Sequence, residues 1–482
     1  MKFTNIFGNP PFQDNESRNK TQHKIWPIFT KKAIHDWLED DGNLFWISPY
    51  SWGSPSSKIL SIIKEYELSE LNLDTDKYFP NVGSTFSHYR IIKRKNNLPT
   101  NITKSGNKFS MTLDDDVFYI PNDVCSESMS IHSKVMFGSE DVFDLHHDYV
   151  TCHNVIRHAK RLHERKIDNV KLSINSDVLS ENLSEKSLQK KILRLRDLVA
   201  KRPSIEISLS ETLTAEHTYP VFHTNNKVWY SSKRQTFADK KKVMWSRSGY
   251  VKPFFDDGVH GCTDMGYYIL VASDEEGRRL VDFLSSDLMK YVFKTAKWSG
   301  FGNELVFSSI PNVDLSVDMT LDEYYKLFDI TTAEQSYITT ILNPKKVSRD
   351  KKSNAETKSE FRVKKHGEVY TPNELVQEMM DMLDDASWKS HDETFIDPAC
   401  GNGNFLVNIL ARRLDSGVPP SVSVKTLYGI DIMQDNIDES IGRMCSVLSD
   451  RGHDPAKFID SMRANIVLSN SLEHTMEEIF KN

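Results

Sequence analysis

The sequence predicts an α/β fold whose sheet is assembled from both ends of the chain, around a mixed α+β insert. Three observations carry that expectation. Apolar runs of strand length alternate with stretches of helical periodicity from residue 1 to about 98. The alternation breaks beyond Asn96. It resumes after residues 344–366 (PKKVSRDKKSNAETKSEFRVKKH), a highly charged stretch without apolar periodicity that reads as a surface linker. Alternating strands and helices imply a mostly parallel sheet with helices on its faces. The expected partition is 1–98, 99–343, 344–366 and 367–482.

Phe3 to Gly8 is a short apolar run ending in a turn. Ile25 to Leu38 sets Ile25, Trp26, Phe29, Ala33, Trp37 and Leu38 at helical spacing, and Asp41-Gly42-Asn43 stops it. Leu44 to Ile47 reads as a buried strand closed by Ser48-Pro49, followed by a helix over Lys58 to Tyr66 and strands over Leu71 to Leu73 and Ser87 to Ile92. In the middle, His146 to Arg165, Leu183 to Val199 and Leu280 to Phe293 read as helices and Tyr267 to Val271 as a strand. The last part alternates again: strands over Thr394 to Ile396, Thr426 to Ile432 and Ala464 to Leu468, helices over Phe405 to Arg413 and Asn436 to Ser449.

The 482 residues suffice for two or three domains, and 27% charged with 38% apolar residues is a globular composition. No apolar run approaches the roughly 20 residues of a membrane span, and MKFTNIFGNPPF has no signal-peptide core, so a cytoplasmic protein without a membrane partner is expected. Cys125, Cys152, Cys262, Cys400 and Cys445 are scattered and odd in number, which argues against a disulfide framework or structural zinc. No metal is expected at His146, His147, Cys152, His153 and His158 either, whose spacing fits no standard site. The net charge of −7 hides an asymmetry, since residues 151–252 hold 21 Lys and Arg against 10 Asp and Glu. There Lys233, Arg234, Lys240, Lys241, Lys242, Arg247 and Lys252 lie near Trp229, Tyr230, Trp245 and Tyr250, a mixture suited to phosphate contact, or else a solvated face.

Two motifs carry chemistry. Asp397-Pro398-Ala399-Cys400-Gly401-Asn402-Gly403-Asn404-Phe405 stands between a strand and a helix. Glycines in such a turn let backbone approach a ligand closely, and Asp397 at its opening suits a ligand with an amino group better than a pyrophosphate. Asp431, ending the next strand, is placed to accept from ribose hydroxyls. The second motif, Asn9-Pro10-Pro11-Phe12, also follows a strand. The Asn9 side-chain carbonyl and the Pro10 backbone carbonyl can hold both hydrogens of an amine such as adenine N6 and free its lone pair for attack on a methylsulfonium. Pro11 stiffens the turn, and Phe12 can stack on a base.

On these residues the chain resembles the adenine-N6 group of amino-type DNA methyltransferases, with motifs similar to restriction-modification methylases in circularly permuted order. The resemblance implies a Rossmann-like class I methyltransferase sheet, S-adenosylmethionine as cofactor, double-stranded DNA as partner and a separate restriction endonuclease as a further one. It implies a cofactor role for Tyr370, Thr371 and Pro372 within HGEVYTP, for Asp397, Ala399, Gly401, Gly403 and Phe405, for Asp431 and Ile432, and for Asn470, which stands where many relatives have Asp. Asn9, Pro10, Pro11 and Phe12 match the catalytic tetrapeptide, Gly42 to Trp52 the next strand, and Phe79 in Tyr78-Phe79-Pro80 an aromatic under the flipped base. Lys297 to Phe301 and Ser308 to Pro311 resemble target-recognition regions, with Lys233, Arg234, Lys241, Lys242 and Arg247 as DNA contacts. A bifunctional restriction-modification enzyme, or a methyltransferase acting on protein glutamine or RNA, stays open.

Overall fold

The computed structural model describes residues 1–14, 23–55, 57–79, 85–95, 98–147, 208–224, 227–247, 251–296, 304–344 and 370–481. The expected helices over 148–165 and 183–199, the linker over 345–366, and Lys297 to Phe301 lie outside them. The chain divides into two compact units, Met1–Gly53 with Ser57–Asp115 and Ser348–Asn482, and Ser54–Ser56 with Asp116–Val347.

The first unit is built on one nine-stranded sheet. Its strands are β1 (Phe3–Gly8), β2 (Leu38–Pro49), β3 (Tyr66–Asn72), β4 (Phe86–Lys95), β5 (Thr100–Lys104), β6 (Asn107–Met111), β7 (Phe395–Asp397), β8 (Leu427–Asp431) and β9 (Ile466–Leu468). Their spatial order is β9-β8-β7-β1-β2-β4-β3-β5-β6. β9, β8, β7, β1 and β2 are parallel, and β4 runs antiparallel to both of its neighbours. At the centre, Asn5 pairs with Phe395 and Ile6 with Ile396, partners some 390 residues apart in sequence.

Helices α1 (Trp26–Lys32), α2 (Lys58–Lys64), α3 (Asn373–Met380), α4 (Asn404–Asp415) and α5 (Gln434–Asp450) belong to this unit. Apolar residues of α3 (Leu375, Met379), α4 (Phe405, Ile409) and α5 (Ile437, Met444) form one buried cluster with Phe7 of β1 and Phe45 of β2. The helical spacing of those residues is the reason these segments fold as amphipathic helices on the sheet. The two ends of the chain meet here: Phe3 packs edge-on against Tyr428 (5.2 Å) and Phe480 (6.1 Å), and the Met1 amine pairs with Glu477.

Several elements differ from the sequence expectation. The sheet continues past residue 98, because the hairpin β5–β6 adds to the edge of β3. Asp41-Gly42-Asn43 lies inside β2; Asp41 has φ +60°, and a Cβ on Gly42 would stand 2.9 Å from the Thr4 carbonyl oxygen. Tyr66 opens β3 and so ends α2 early. The span Leu280 to Phe293 is two helices, Asp274–Leu284 and Asp287–Ala296, broken at Ser285-Ser286.

The second unit is mixed α and β. One four-stranded sheet orders Leu209–Ser210, Lys227–Ser231, Tyr219–Thr224 and Gly261–Cys262; another orders Phe254–Asp257, Lys241–Ser246, Gly266–Leu270 and His146–His147. Among the described residues no helix is long and apolar enough to cross a membrane.

Candidate active site

Because β7, β1, β8 and β9 are parallel neighbours, the segments leaving their carboxyl ends emerge at one edge of the sheet. These segments are the glycine loop after Asp397, Asn9 to Phe12 after Gly8, Ile432 after Asp431, and Asn470 after Leu468. From β7 the chain proceeds outward to β8 and β9, and from β1 it proceeds the other way to β2. A crevice opens at such a reversal, where an open α/β sheet binds its ligands.

The glycine loop is held from three sides. Gly401 has φ +51° and its amide donates to Asp431 Oδ2 at 2.9 Å, while Asp431 Oδ1 accepts from the amide of Met433 (2.9 Å) and from Asn436 Nδ2 (3.2 Å). Ser471 Oγ donates to the Pro398 carbonyl at 2.8 Å. Arg443 of α5 reaches both the Asn402 carbonyl and Asn404 Oδ1 at 2.7 Å, and Asn404 Nδ2 donates to the Thr371 carbonyl at 2.8 Å. Tyr370, Thr371 and Pro372 are thereby fastened to the loop, with the Tyr370 ring over Gly401 and Pro372 opening α3.

Gly403, with φ +82°, plays a different part from the expected one. A Cβ there would sit 2.6 Å from Ser440 Oγ and 3.1 Å from the Ser440 backbone, so this glycine admits α5 to the loop. Phe405 is core. Ala399 donates its amide to Asp397 Oδ1 at 3.1 Å.

Asp397 is 2% exposed. Burial pushes its carboxyl up to about 8; the Ala399 amide opposes the shift and the Asp431 charge adds to it. Asn402 Oδ1 is shielded and has no hydrogen-bond partner among the described residues. A buried acid and an orphaned acceptor fit a ligand that brings cationic or N–H donors. They do not fit a polyphosphate, for which residues 397–403 supply no Lys or Arg. Ile432 and Leu468, at the ends of adjoining strands, expose 58% and 51% of their surface, apolar area suited to a purine face. Asn470 Oδ1 accepts from the Leu472 amide at 3.0 Å.

On the β1 side, Asn9, Pro11 and Phe12 are half-buried and Pro10 is buried. Phe12 packs on Phe86 with ring centroids 5.1 Å apart, and Phe86 on Phe79 at 5.2 Å. Phe79 is 2% exposed, so its ring is part of the core in this structure.

Residues 355–478 match the N-6 DNA Methylase family. The N-6 DNA methylase match takes in α3, the glycine loop, β8 and β9; Asn9 to Phe12 lie outside it. Similar solved structures include the ATP-dependent Type ISP restriction-modification enzyme LlaBIII bound to DNA, at 12% identity and TM-score 0.32, covering 70% of this chain and 30% of that one. Another is a nuclease-deletion mutant of the Type ISP restriction-modification enzyme LlaGI in complex with a DNA substrate mimic, at 11% and 0.34, covering 64% and 40%. The Type IIL restriction-modification enzyme MmeI in complex with DNA follows at 10% and 0.28, covering 57% and 42%. The chain spans less than half the length of each. No curated protein matches it.

Within the second unit the expected basic contacts divide. Lys233 and Arg234 are exposed, with Arg234 donating to the Gly258 carbonyl at 3.2 Å. Lys241 pairs with Asp274 and stands 3.6 Å from Asp257. Arg247 is half-buried, its amide donating to the Met265 carbonyl at 2.8 Å. Lys242 requires a correction. It is 0% exposed, bonded to Asp256 (2.8 Å) and to the Ala238 and Lys240 carbonyls, and so unavailable to a phosphate. Its alternation with exposed neighbours was readable in the sequence, but the buried carboxylate 14 residues on was not. Among the described residues no group of His, Cys, Asp or Glu forms a metal site. Sequence reasoning missed Ser440, Ser471, Arg443 and Asn402, which act on the loop from elsewhere in the fold or carry no motif of their own.

Proposed function

We propose that this chain is an S-adenosylmethionine-dependent DNA methyltransferase acting on N6 of an adenine turned out of the duplex. The observation that carries the reading is the parallel pairing of β1 with β7, which brings Asn9-Pro10-Pro11-Phe12 and the glycine loop to one edge of one sheet. The strand order β9-β8-β7-β1-β2-β4-β3, antiparallel only at β4, supports a class I methyltransferase sheet read in permuted chain order. The N-6 DNA Methylase match over 355–478 supports the same chemistry.

Asp397 and Asn402 would receive the amino group of the methionine part, Asp431 the ribose, and Ile432 and Leu468 the purine face, with Tyr370 and Thr371 closing the site. S-adenosylmethionine supplies the methyl group. Adenine N6 is a weak nucleophile because its lone pair is delocalised into the ring. Asn9 Oδ1 and the Pro10 carbonyl accept its two hydrogens and draw the nitrogen toward tetrahedral geometry. As the N–C bond forms and the S–C bond breaks, those acceptors hold the growing positive charge; one N6 proton then leaves to solvent. Phe12 supports the base, which an enzyme of this kind must extrude from the stack. In the second unit Lys233 and Arg234 would contact phosphates, a sequence-independent contribution.

Asn9→Ala is expected to lower methyl transfer by roughly 10²–10³-fold while S-adenosylhomocysteine binds as before by calorimetry. Sequencing DNA from cells expressing the wild-type protein, with detection of N6-methyladenine, tests the substrate. Methylated protein or RNA without methylated DNA, or full activity of Asn9→Ala, defeats the proposal.

A further inference from the structure

A polar cluster behind the candidate site has no part in the reading above. Glu378, in the second half of α3, accepts from Asn72 Nδ2 on Oε1 and from the Tyr78 hydroxyl on Oε2, both at 2.6 Å. His88 Nε2 stands 3.5 Å from Oε1 and Lys77 Nζ 3.9 Å from Oε2. These partners belong to three different pieces of chain: Asn72 ends β3, Tyr78 ends the short 3-10 turn Thr75–Tyr78, and His88 is buried in β4. The pieces are also locked to each other, since Thr75 Oγ1 donates to the Asn72 carbonyl at 3.0 Å and lies 2.9 Å from His88 Nδ1.

The carboxylate is held ionised. The His88 contact pulls it down to about 2 against the cost of burial, and the Tyr78 hydroxyl adds to the pull. Burial and the hydrogen bond to Glu378 together raise the Tyr78 hydroxyl, so its proton stays in the clamp. One anion therefore gathers three donors across the whole neutral range.

What this clamp holds is the aromatic side of the site. Tyr78 adjoins Phe79, Phe79 packs on Phe86, and Phe86 packs on Phe12 of the tetrapeptide. The helix bearing the carboxylate continues directly from Tyr370-Thr371-Pro372. We propose that Glu378 is a positioning residue for the methyl acceptor, fixing the Phe79–Phe86–Phe12 wall relative to the cofactor segment; the inference rests on the functional reading above. Its neighbour Gln377 provides the contrast. Gln377 Nε2 donates to Asn408 Oδ1 at 2.7 Å and Oε1 accepts from Arg412 at 2.9 Å, so it ties the same helix to α4 and touches none of the aromatic side.

The experiment compares Glu378→Ala, Glu378→Asp and Gln377→Ala in the full chain. S-adenosylhomocysteine affinity is read by calorimetry, melting temperature by circular dichroism, and turnover on a duplex carrying the methylated sequence. Base extrusion is read by fluorescence of 2-aminopurine at the target position. Glu378→Ala is expected to bind S-adenosylhomocysteine within about twofold of wild type, to lose tenfold or more in kcat and to change the 2-aminopurine signal. Glu378→Asp, which keeps the charge, should recover most of both. Gln377→Ala should melt lower with kcat and signal near wild type. Equal behaviour of the Ala variants, or a Glu378→Ala defect confined to melting temperature or to S-adenosylhomocysteine affinity, overturns the inference. A wild-type protein that binds no S-adenosylhomocysteine and methylates no DNA overturns the functional reading itself and this inference with it.

Discussion

Asp397 is the residue where burial and function oppose each other. Its folded-state pKa is raised to about 8, so the folded chain binds a proton that the unfolded chain releases near 4. That contribution to stability is complete in acid and disappears as the pH climbs toward 8. Asp397→Asn keeps an acceptor for the Ala399 amide and removes the ionisation, so it is expected to stabilise the ligand-free protein at pH 7–8 by roughly 1–3 kcal/mol. Thermal melts across pH check this: the gap to wild type should widen with rising pH and vanish near pH 4. A cationic ligand reverses the balance by favouring the carboxylate. S-adenosylhomocysteine affinity of the wild type should then rise with pH, by up to roughly tenfold per unit below 8, and the dependence should flatten in Asp397→Asn, whose affinity is lower throughout. Calorimetry at pH 6, 7 and 8 reads both. That Asp397 opens a ligand loop was legible from its place before the glycines. Its burial against Asp431 was not, because that requires β8 to lie beside β7.

Among the elements, the glycine loop and α5 are made for each other. Gly403→Ala would put a Cβ against Ser440 and hold a left-handed φ that a side chain disfavours, a cost of roughly 1–3 kcal/mol. Adding Ser440→Gly relieves the contact and leaves the backbone strain, so the double variant should recover part of the lost melting temperature. Full recovery would mean that φ costs nothing there. In the second unit, Lys242→Ala leaves the Asp256 carboxylate buried with one fewer partner. A loss of about 3–5 kcal/mol is expected, measured by denaturant unfolding. Lys233→Ala with Arg234→Ala should instead leave stability alone and shallow the salt dependence of DNA binding by about one unit of slope per lost contact. The sequence placed all four residues in one basic cluster, since charge is visible in a sequence and the carboxylate that silences it is not. Strand β1 and helix α4 were legible to within a residue or two because apolar period and turn residues agree there. The break at Ser285-Ser286 was hidden by apolar spacing that runs on through it.

At the scale of the molecule, the motif order alone implied that the two ends share a sheet, and Phe3, Tyr428 and Phe480 pack together where those ends meet. The edge hairpin β5–β6 was illegible: its residues are polar and largely exposed, so they carry no burial signal. If the ends are neighbours, order along the chain is dispensable. A chain rewritten as residues 370–481, a short glycine-serine linker and then 1–344 is expected to bind S-adenosylhomocysteine like the original. It should also refold faster, because the central β1–β7 pairing becomes nearly local. Stopped-flow tryptophan fluorescence compares the rates, and a rewritten chain that fails to bind would count against the shared site.

The same pairing sets a schedule for synthesis. β1 leaves the ribosome among the first residues, yet the strand that covers one of its flanks is some 390 residues behind it. At roughly 5–20 residues per second, translation leaves that flank bare for tens of seconds. An apolar strand with an open edge is a template for stray pairing. During its making this protein therefore depends on whatever shelters a nascent chain, and faster translation or slower initiation should raise its soluble yield.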